Sequence, residues 1–200
     1  MGHSCIIHVA MNTKNESLSD SQVISLVLGG DEDSFALLVE RYESKLMRYA
    51  MFILKDYDVA SDITQETFIK AYINLRSFKI DKKFSSWIYR ILHNGAMNYI
   101  KRNKKTCALG AIDEIDNDFL VGFTSDKMID RNMLNIQVRK CLGKIDIKYR
   151  EILMLSFFDG LKYEEISDIL HIPTSTVGVR IRRGKMMLKN VCQKDGVSYE

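Results

Sequence analysis

The single proline of this 200-residue chain, Pro173, stands between two stretches of helical periodicity. Proline disfavours a helical conformation in the residue before it, so a helix over Tyr163–Leu170 must end around His171-Ile172-Pro173. Ile166, Ile169 and Leu170 recur on one side of that helix, and Thr174 or Ser175 caps a new one running through Val177 and Ile181 to Leu188. Elsewhere only 11 glycines are available to punctuate the chain, too few for the many tight turns of a sandwich or barrel. The fold class expected is all-α.

Four further helices follow from the same periodicity. Ser21 to Leu28 is a short apolar stretch closed by Gly29-Gly30, a helix stop. Asp33 or Ser34 can cap the next helix, with Phe35, Leu38, Val39, Tyr42, Leu46, Tyr49 and Phe52 at three-to-four spacing. Asp58 or Ser61 starts a third, with Ile63, Phe68, Ala71, Tyr72 and Leu75 on its buried side. Ser85 or Ser86 opens a fourth, with Trp87, Ile88, Ile91, Leu92, Tyr99 and Ile100 inward and Arg90, Asn94, Asn98, Lys101, Arg102 and Lys105 outward. Residues 106–130 lose the period and gain acid, which reads as a linker. A second helical unit then begins near Asn132, its core supplied by Val138, Cys141, Leu142, Ile145, Ile152, Leu153, Leu155, Phe157 and Phe158. Met186 and Met187 are expected in that core rather than at a soft-metal site. The organisation expected is a segment 1–19, a four-helix domain 20–105, a linker 106–130, a second domain 131–192 and a tail 193–200.

The net charge of +3 conceals a segregation. Residues 76–105 carry nine Lys and Arg against Asp81 alone, a balance of +8. Residues 180–189 add Arg180, Arg182, Arg183, Lys185 and Lys189 with no acid, whereas residues 113–130 hold six acids against Lys127. Two basic blocks parted by an acidic stretch point to two polyanion-binding surfaces on two domains. A helix, a tight turn and a basic second helix form a helix-turn-helix pattern, in which the first helix buttresses the second and polar side chains at the N-terminus of the second reach base edges. Ser175, Thr176 and Arg180 are the base-facing candidates, with Arg182, Arg183 and Lys185 on phosphate.

Other classes find less support. The apolar runs are too short to span a bilayer, and residues 1–10 lack the basic start and long apolar stretch of a signal peptide. Cys5, Cys107, Cys141 and Cys192 show no CxxC pair and are expected as reduced thiols in a cytoplasmic protein. His3, Cys5 and His8 lack a fourth ligand, so no metal or other cofactor is expected. Asp56, Asp58 and Asp62 are the densest acids of the first domain, but they fall at a helix start, where capping accounts for them better than a two-metal nuclease. With no P-loop, HExxH or nucleophile elbow, no enzyme and no catalytic residue is expected. A stand-alone helix-turn-helix regulator would use the second domain and leave the first without a task.

Residues 161–189, LKYEEISDILHIPTSTVGVRIRRGKMMLK, resemble the promoter-binding region four of bacterial sigma factors, and Lys148–Gly160 resembles the helix that precedes it there. Asp62-Ile63-Thr64-Gln65-Glu66-Thr67-Phe68 resembles the region-two helix that docks on RNA polymerase. Phe84 to Asn94, with Asn98-Tyr99, resembles the adjoining strand-opening helix. The match covers most of residues 20–191 in family order, and the absence of a long middle region is similar to the extracytoplasmic-function group. The resemblance implies a sigma factor that binds core RNA polymerase and directs promoter recognition, strand opening and initiation. Core polymerase would meet Asp62, Gln65 and Glu66. The displaced non-template strand of the minus-ten element would meet Phe84, Arg90, Asn94, Asn98, Lys101 and Arg102, with Phe84 or Trp87 as a stacking platform. The duplex minus-thirty-five element would meet Thr174, Ser175, Thr176, Arg180, Arg182, Arg183 and Lys185. An anti-sigma factor, membrane-bound ones included, is a further implied partner, and the acidic linker would lie in the polymerase channel. The chain departs from the family at Gly178 and Val179, where basic or polar residues and Ser are common, which bears on the bases read.

Overall fold

The computed structural model of the protein describes residues 18–103, 137–138 and 140–196, and every regular element among them is helical. The expected N-terminal segment and linker lie outside the described residues almost entirely, as do Cys5, Cys107 and the His3/Cys5/His8 cluster.

The first unit contains α1 (Asp20–Leu28), α2 (Phe35–Leu54), α3 (Tyr57–Ile73) and α4 (Phe84–Arg102). Ser19 starts α1 through a capping box: the Ser19 backbone N–H donates to Gln22 Oε1 at 2.8 Å and the Gln22 N–H returns a bond to Ser19 Oγ. The expected stop at Gly29-Gly30 is present, Gly30 taking φ +107, a conformation a side chain would strain. Three starts differ from expectation. Ser34 precedes α2, but its hydroxyl donates to Asp31 Oδ2 at 2.7 Å and caps nothing. Asp56, not Asp58 or Ser61, caps α3 by accepting the Val59 N–H at 3.1 Å. Phe84 begins α4 after Lys83, whose side chain caps nothing; Ser85 and Ser86 lie inside the helix, and the Ser85 hydroxyl donates to Glu165 of the second unit.

Leu38, Leu46 and Tyr49 of α2, Ile88, Leu92 and Ala96 of α4 and Ala71 of α3 are fully buried together with Val23 and Ile24 of α1. Thr64 and Thr67 share this interior because each hydroxyl donates to a carbonyl four residues back, at 2.7 Å. Phe84 joins the interior too, edge-on to Tyr42 and Phe78 and tilted against Trp87.

In the second unit a helical stretch through residue 143 leads to α5 (Ile147–Leu153), a π-helical turn (Met154–Phe158), α6 (Tyr163–Leu170) and α7 (Thr174–Lys194). Asp146 caps α5 by accepting the Lys148 N–H. Ile152, Leu153, Leu155, Ile166, Ile169, Val177 and Ile181 form its core, and Cys141 packs on Cys192 as a pair of buried free thiols. Two expectations for this core are corrected: Met186 and Met187 are exposed, and so is Phe157, whose ring lies under the Lys185 ammonium. The thioether of Met counts as apolar in any periodicity, yet these two fall on the solvent side of α7. That helix also runs two residues into the expected tail.

Candidate nucleic-acid and partner interfaces

The helix-turn-helix is held at its turn by backbone geometry. His171 ends α6 in the left-handed region at φ +52, and Ser167 Oγ donates to the Ile172 carbonyl at 2.6 Å, closing the turn from below. His171 is thus the C-cap residue of α6, its backbone N–H donating to the Ser167 carbonyl. Pro173 stands at the N-cap of α7, so the expected capping by Thr174 or Ser175 is corrected: both lie inside the helix and stand in solvent. Arg182, Arg183 and Lys185 are exposed farther along. Thr176 and Arg180 are half-buried, and Arg180 lies near enough to Glu151 to favour its ionised form. Val179, one turn beyond Ser175, is half exposed and was not a candidate, although an apolar side chain at that place can meet a thymine methyl. Its signal was the spacing of four from Ser175 on the same face.

Gly184 explains one of the two glycines of α7. A Cβ there would lie 3.1 Å from Leu153 Cδ1, so the glycine lets α7 close on α5, whereas at Gly178 the nearest atom, on Tyr163, would be 3.6 Å away.

On α4, Asn94, Asn98, Lys101 and Arg102 are exposed and share one face, as expected. Arg90 is half-buried. Phe84 requires correction: at 2 % exposure within its aromatic cluster it presents no ring to a base. Trp87 is half-buried, 5.0 Å from Phe78 between ring centroids, and borders a cavity of about 370 Å³ lined by Lys79, Lys82, Lys83, Arg90 and Asp168 among others.

Asp62, Gln65 and Glu66 are all exposed on α3, while Ile63 and Phe68 anchor the helix from the opposite side. Lys70 pairs with Glu66 at 2.8 Å, so this face is not purely acidic. Ile69 and Ile73, 59 % and 70 % exposed, continue the stripe at i+7 and i+11 from Asp62.

The two units meet along a seam that sequence reasoning did not contain. Arg48 of α2 donates to Asp159 Oδ1 at 2.7 Å, with the Asp159 side chain 1 % exposed. Glu165 of α6 accepts its own helix's Lys162 N–H at 2.9 Å, the Ser85 hydroxyl at 3.1 Å, and faces Lys83 Nζ at 3.3 Å. The Arg150 guanidinium lies over the Phe52 ring, and Glu151 stands 3.9 Å from His93, which is also 3.1 Å from the Tyr49 hydroxyl. Burial pushes the Glu151 carboxyl up to about 7 despite Arg180 and Arg150, and burial with the nearby charge of His171 holds His93 down at about 4. Between those limits both partners are neutral, so proximity here is not an ion pair. Burial raises Asp159 as well, against the pull of Arg48.

Comparison with known proteins identifies the family of both units. Residues 38–106 match the family described as Sigma-70 region 2, and residues 135–188 match Sigma-70, region 4. The ECF RNA polymerase sigma factor SigW of Bacillus subtilis is 35 % identical over 175 residues, 83 % of this chain and 92 % of that one. In overall fold the chain is similar to CnrH in its complex with the cytosolic domain of CnrY, with TM-score 0.65 and 22 % identity over 88 % of this chain and 98 % of that one. It is similar also to RpoE of Bartonella quintana in complex with the anti-sigma factor NepR, with TM-score 0.64 and 20 % identity over 80 % and 96 % of the two chains.

Proposed function

Because the chain belongs to the sigma-70 family of RNA polymerase sigma factors, in its ECF group, we propose a division of its promoter-recognising task between its two helical units. Residues 20–105 bind core polymerase and the melted minus-ten strand, residues 131–192 bind the duplex minus-thirty-five element, and the acidic 106–130 segment connects them. The polymerase surface is the α3 face of Asp62, Gln65 and Glu66. Two carboxylates repel phosphate, and Ile63 and Phe68 leave this face free for a basic protein partner.

The strand-binding surface is the exposed α4 row of Asn94, Asn98, Lys101 and Arg102 with Arg90 at its edge; amides meet base edges and cations meet phosphates. Trp87, half-buried beside this row, takes the stacking role in this reading, since Phe84 is buried. Thr174 and Ser175 at the start of α7 approach bases with Thr176 and Arg180 behind them, and Arg182, Arg183 and Lys185 take the flanking phosphates. The protein supplies no catalytic residue; the chemistry belongs to the polymerase. It acts in the cytoplasm, where its polymerase and promoters are, and no described helix is long and apolar enough to cross a membrane. An anti-sigma factor is its expected antagonist, as RpoE of Bartonella quintana, a protein of similar fold, is described in complex with the anti-sigma factor NepR.

The observation that carries this assignment is the solvent-facing, phosphate-repelling α3 surface beside a basic α4, a pair that a simple duplex-binding regulator does not need. Glu66→Lys tests it. Fluorescence titration with core RNA polymerase should show binding weakened at least tenfold, while duplex DNA binding is unchanged; wild-type affinity in the variant refutes the assignment of this face.

A further inference from the structure

We propose that Val179 reads the methyl group of one thymine in the duplex element, fixing an A·T pair there by apolar contact instead of by hydrogen bonds. The inference rests on the assignment of α7 to the minus-thirty-five duplex. On the solvent side of α7, Ser175, Val179, Arg182 and Arg183 follow one another at one-turn intervals, all of them exposed. Val177 and Ile181, two residues to either side, are 0 % and 4 % exposed and hold the helix to its core. Val179 therefore points away from that core, at 50 % exposure.

Nothing in the fold calls for the residues at this place. A β-branched side chain left in water lowers helix propensity and gains no burial in return, and a glycine beside it lowers propensity further. Packing does not require Gly178 either, since a Cβ there would reach only ordinary contact with Tyr163, at 3.6 Å. Two helix-weakening residues thus stand side by side at the centre of the face that meets DNA. The apolar surface is too small for a protein partner: the next exposed apolar side chain of α7, Met186, lies seven residues on, past Arg182 and Arg183.

What such a surface can recognise in a duplex is narrow. Neither Gly178 nor Val179 has a side-chain donor or acceptor, so neither side chain can read the hydrogen-bonding edge of a base. The thymine C5-methyl is the one methyl group on the major-groove floor, and the γ-methyls of Val179 match it in size and polarity. Gly178, with no side chain, leaves the groove free to close on its neighbour. Val179 lies about 6 Å along α7 from Ser175, so the thymine falls within about two base-pair steps of the base that Ser175 faces.

Exchange of thymine for uracil deletes that methyl and leaves base pairing intact, which supplies the test. The full chain, reconstituted with core RNA polymerase, first selects its promoter from duplexes randomised across both elements. Each thymine of the enriched upstream element is then replaced singly by deoxyuridine, and binding is read by fluorescence anisotropy. One replacement should weaken the parent holoenzyme about fourfold, the worth of one buried methyl. Val179→Ala holoenzyme should bind the unmodified element about fourfold more weakly and be indifferent to that same uracil. Alanine raises helix propensity at this exposed site, so a folding defect would not account for the loss. Selection repeated with Val179→Ser should no longer enrich thymine at that position. A parent indifferent to every uracil overturns the proposal, as does a Val179→Ala holoenzyme that keeps the parent's sensitivity, or an enriched upstream element without an A·T pair. A parent holoenzyme that enriches no upstream element at all refutes the duplex-reading assignment of α7 and the inference with it, a failure seen before any uracil is introduced.

Discussion

The interior of the four-helix unit and the seam between the units differ in the polar groups they bury, although one apolar cluster runs through both. Leu38, Leu46, Ile88 and Leu92 fill the first with side chains wholly out of water, and its buried hydroxyls bond within their own helices. The second holds Arg48, Arg150, Glu151, Asp159 and Glu165, several with polar atoms left unmet. Apolar area removed from water is stabilising wherever it is buried, whereas a buried ion pair roughly balances its desolvation. The difference teaches which contact depends on pH. The four-helix unit keeps its shape through an apolar interior, whereas the contact between the units adds buried ionisable groups to its apolar packing.

The largest effect that separates the two is expected from Leu46→Ala. Truncating a fully buried leucine leaves a cavity as well as losing transfer energy, about 2–5 kcal/mol in all. Urea unfolding should show this loss of stability; a change below about 1 kcal/mol would mean that the α2 interior is as forgiving as the seam.

The seam is sharpened by pH. A folded carboxyl at about 7 against an ordinary 4.5 means that Glu151 stabilises the fold while protonated, and this contribution is lost as pH rises from about 4.5 to 7. A folded imidazole at about 4 against 6.5 has the reverse sign, its burden lifting as pH rises from about 4 to 6.5. The two slopes oppose across most of that interval. His93→Gln removes the rising one, so its stability relative to the parent should fall by up to about 1.4 kcal/mol per pH unit between 4.5 and 6.5. Glu151→Gln should tilt the other way. Urea midpoints at a series of pH values decide it, and three parallel profiles would refute the neutral pair.

The smallest effect compares two glycines of one helix. Gly178→Ala should stabilise α7 by about 0.5–1 kcal/mol, since the new methyl finds ordinary contact distance at Tyr163. Gly184→Ala must push Leu153 aside, and the gain in helix propensity should be cancelled or reversed. Thermal melts that move equally for both would remove the packing explanation for Gly184.

Helices were legible because their signals are local. The spacing of Leu38, Tyr42, Leu46 and Tyr49, the glycine stop after Leu28 and Pro173 before α7 each act within a few residues. The exposed placements of Asp62, Gln65, Glu66, Asn98 and Lys101 followed from the same periodicity. Its failures arose where periodicity could not distinguish candidates. Asp56 and Asp58 both precede α3, and only backbone geometry chooses Asp56 as its cap. Phe84 could serve equally as core or platform by type, and Tyr42 and Phe78 settle it as core. The seam was illegible for a stronger reason. Ser85 and Glu165 are eighty residues apart, Arg48 and Asp159 one hundred and eleven, and each alone is an ordinary solvated surface residue. Charge complementarity at that separation has no local signature.

The polar groups of the seam also bear on self-association. An interface of leucine faces alone would be an aggregation hazard at any opening, since large exposed apolar patches recruit copies of themselves. Here guanidinium and carboxylate groups border the apolar contacts, and Arg150 covers the Phe52 ring beneath it. Charged groups at the rim of an apolar contact raise the cost of pairing with a second copy that offers no matching charges.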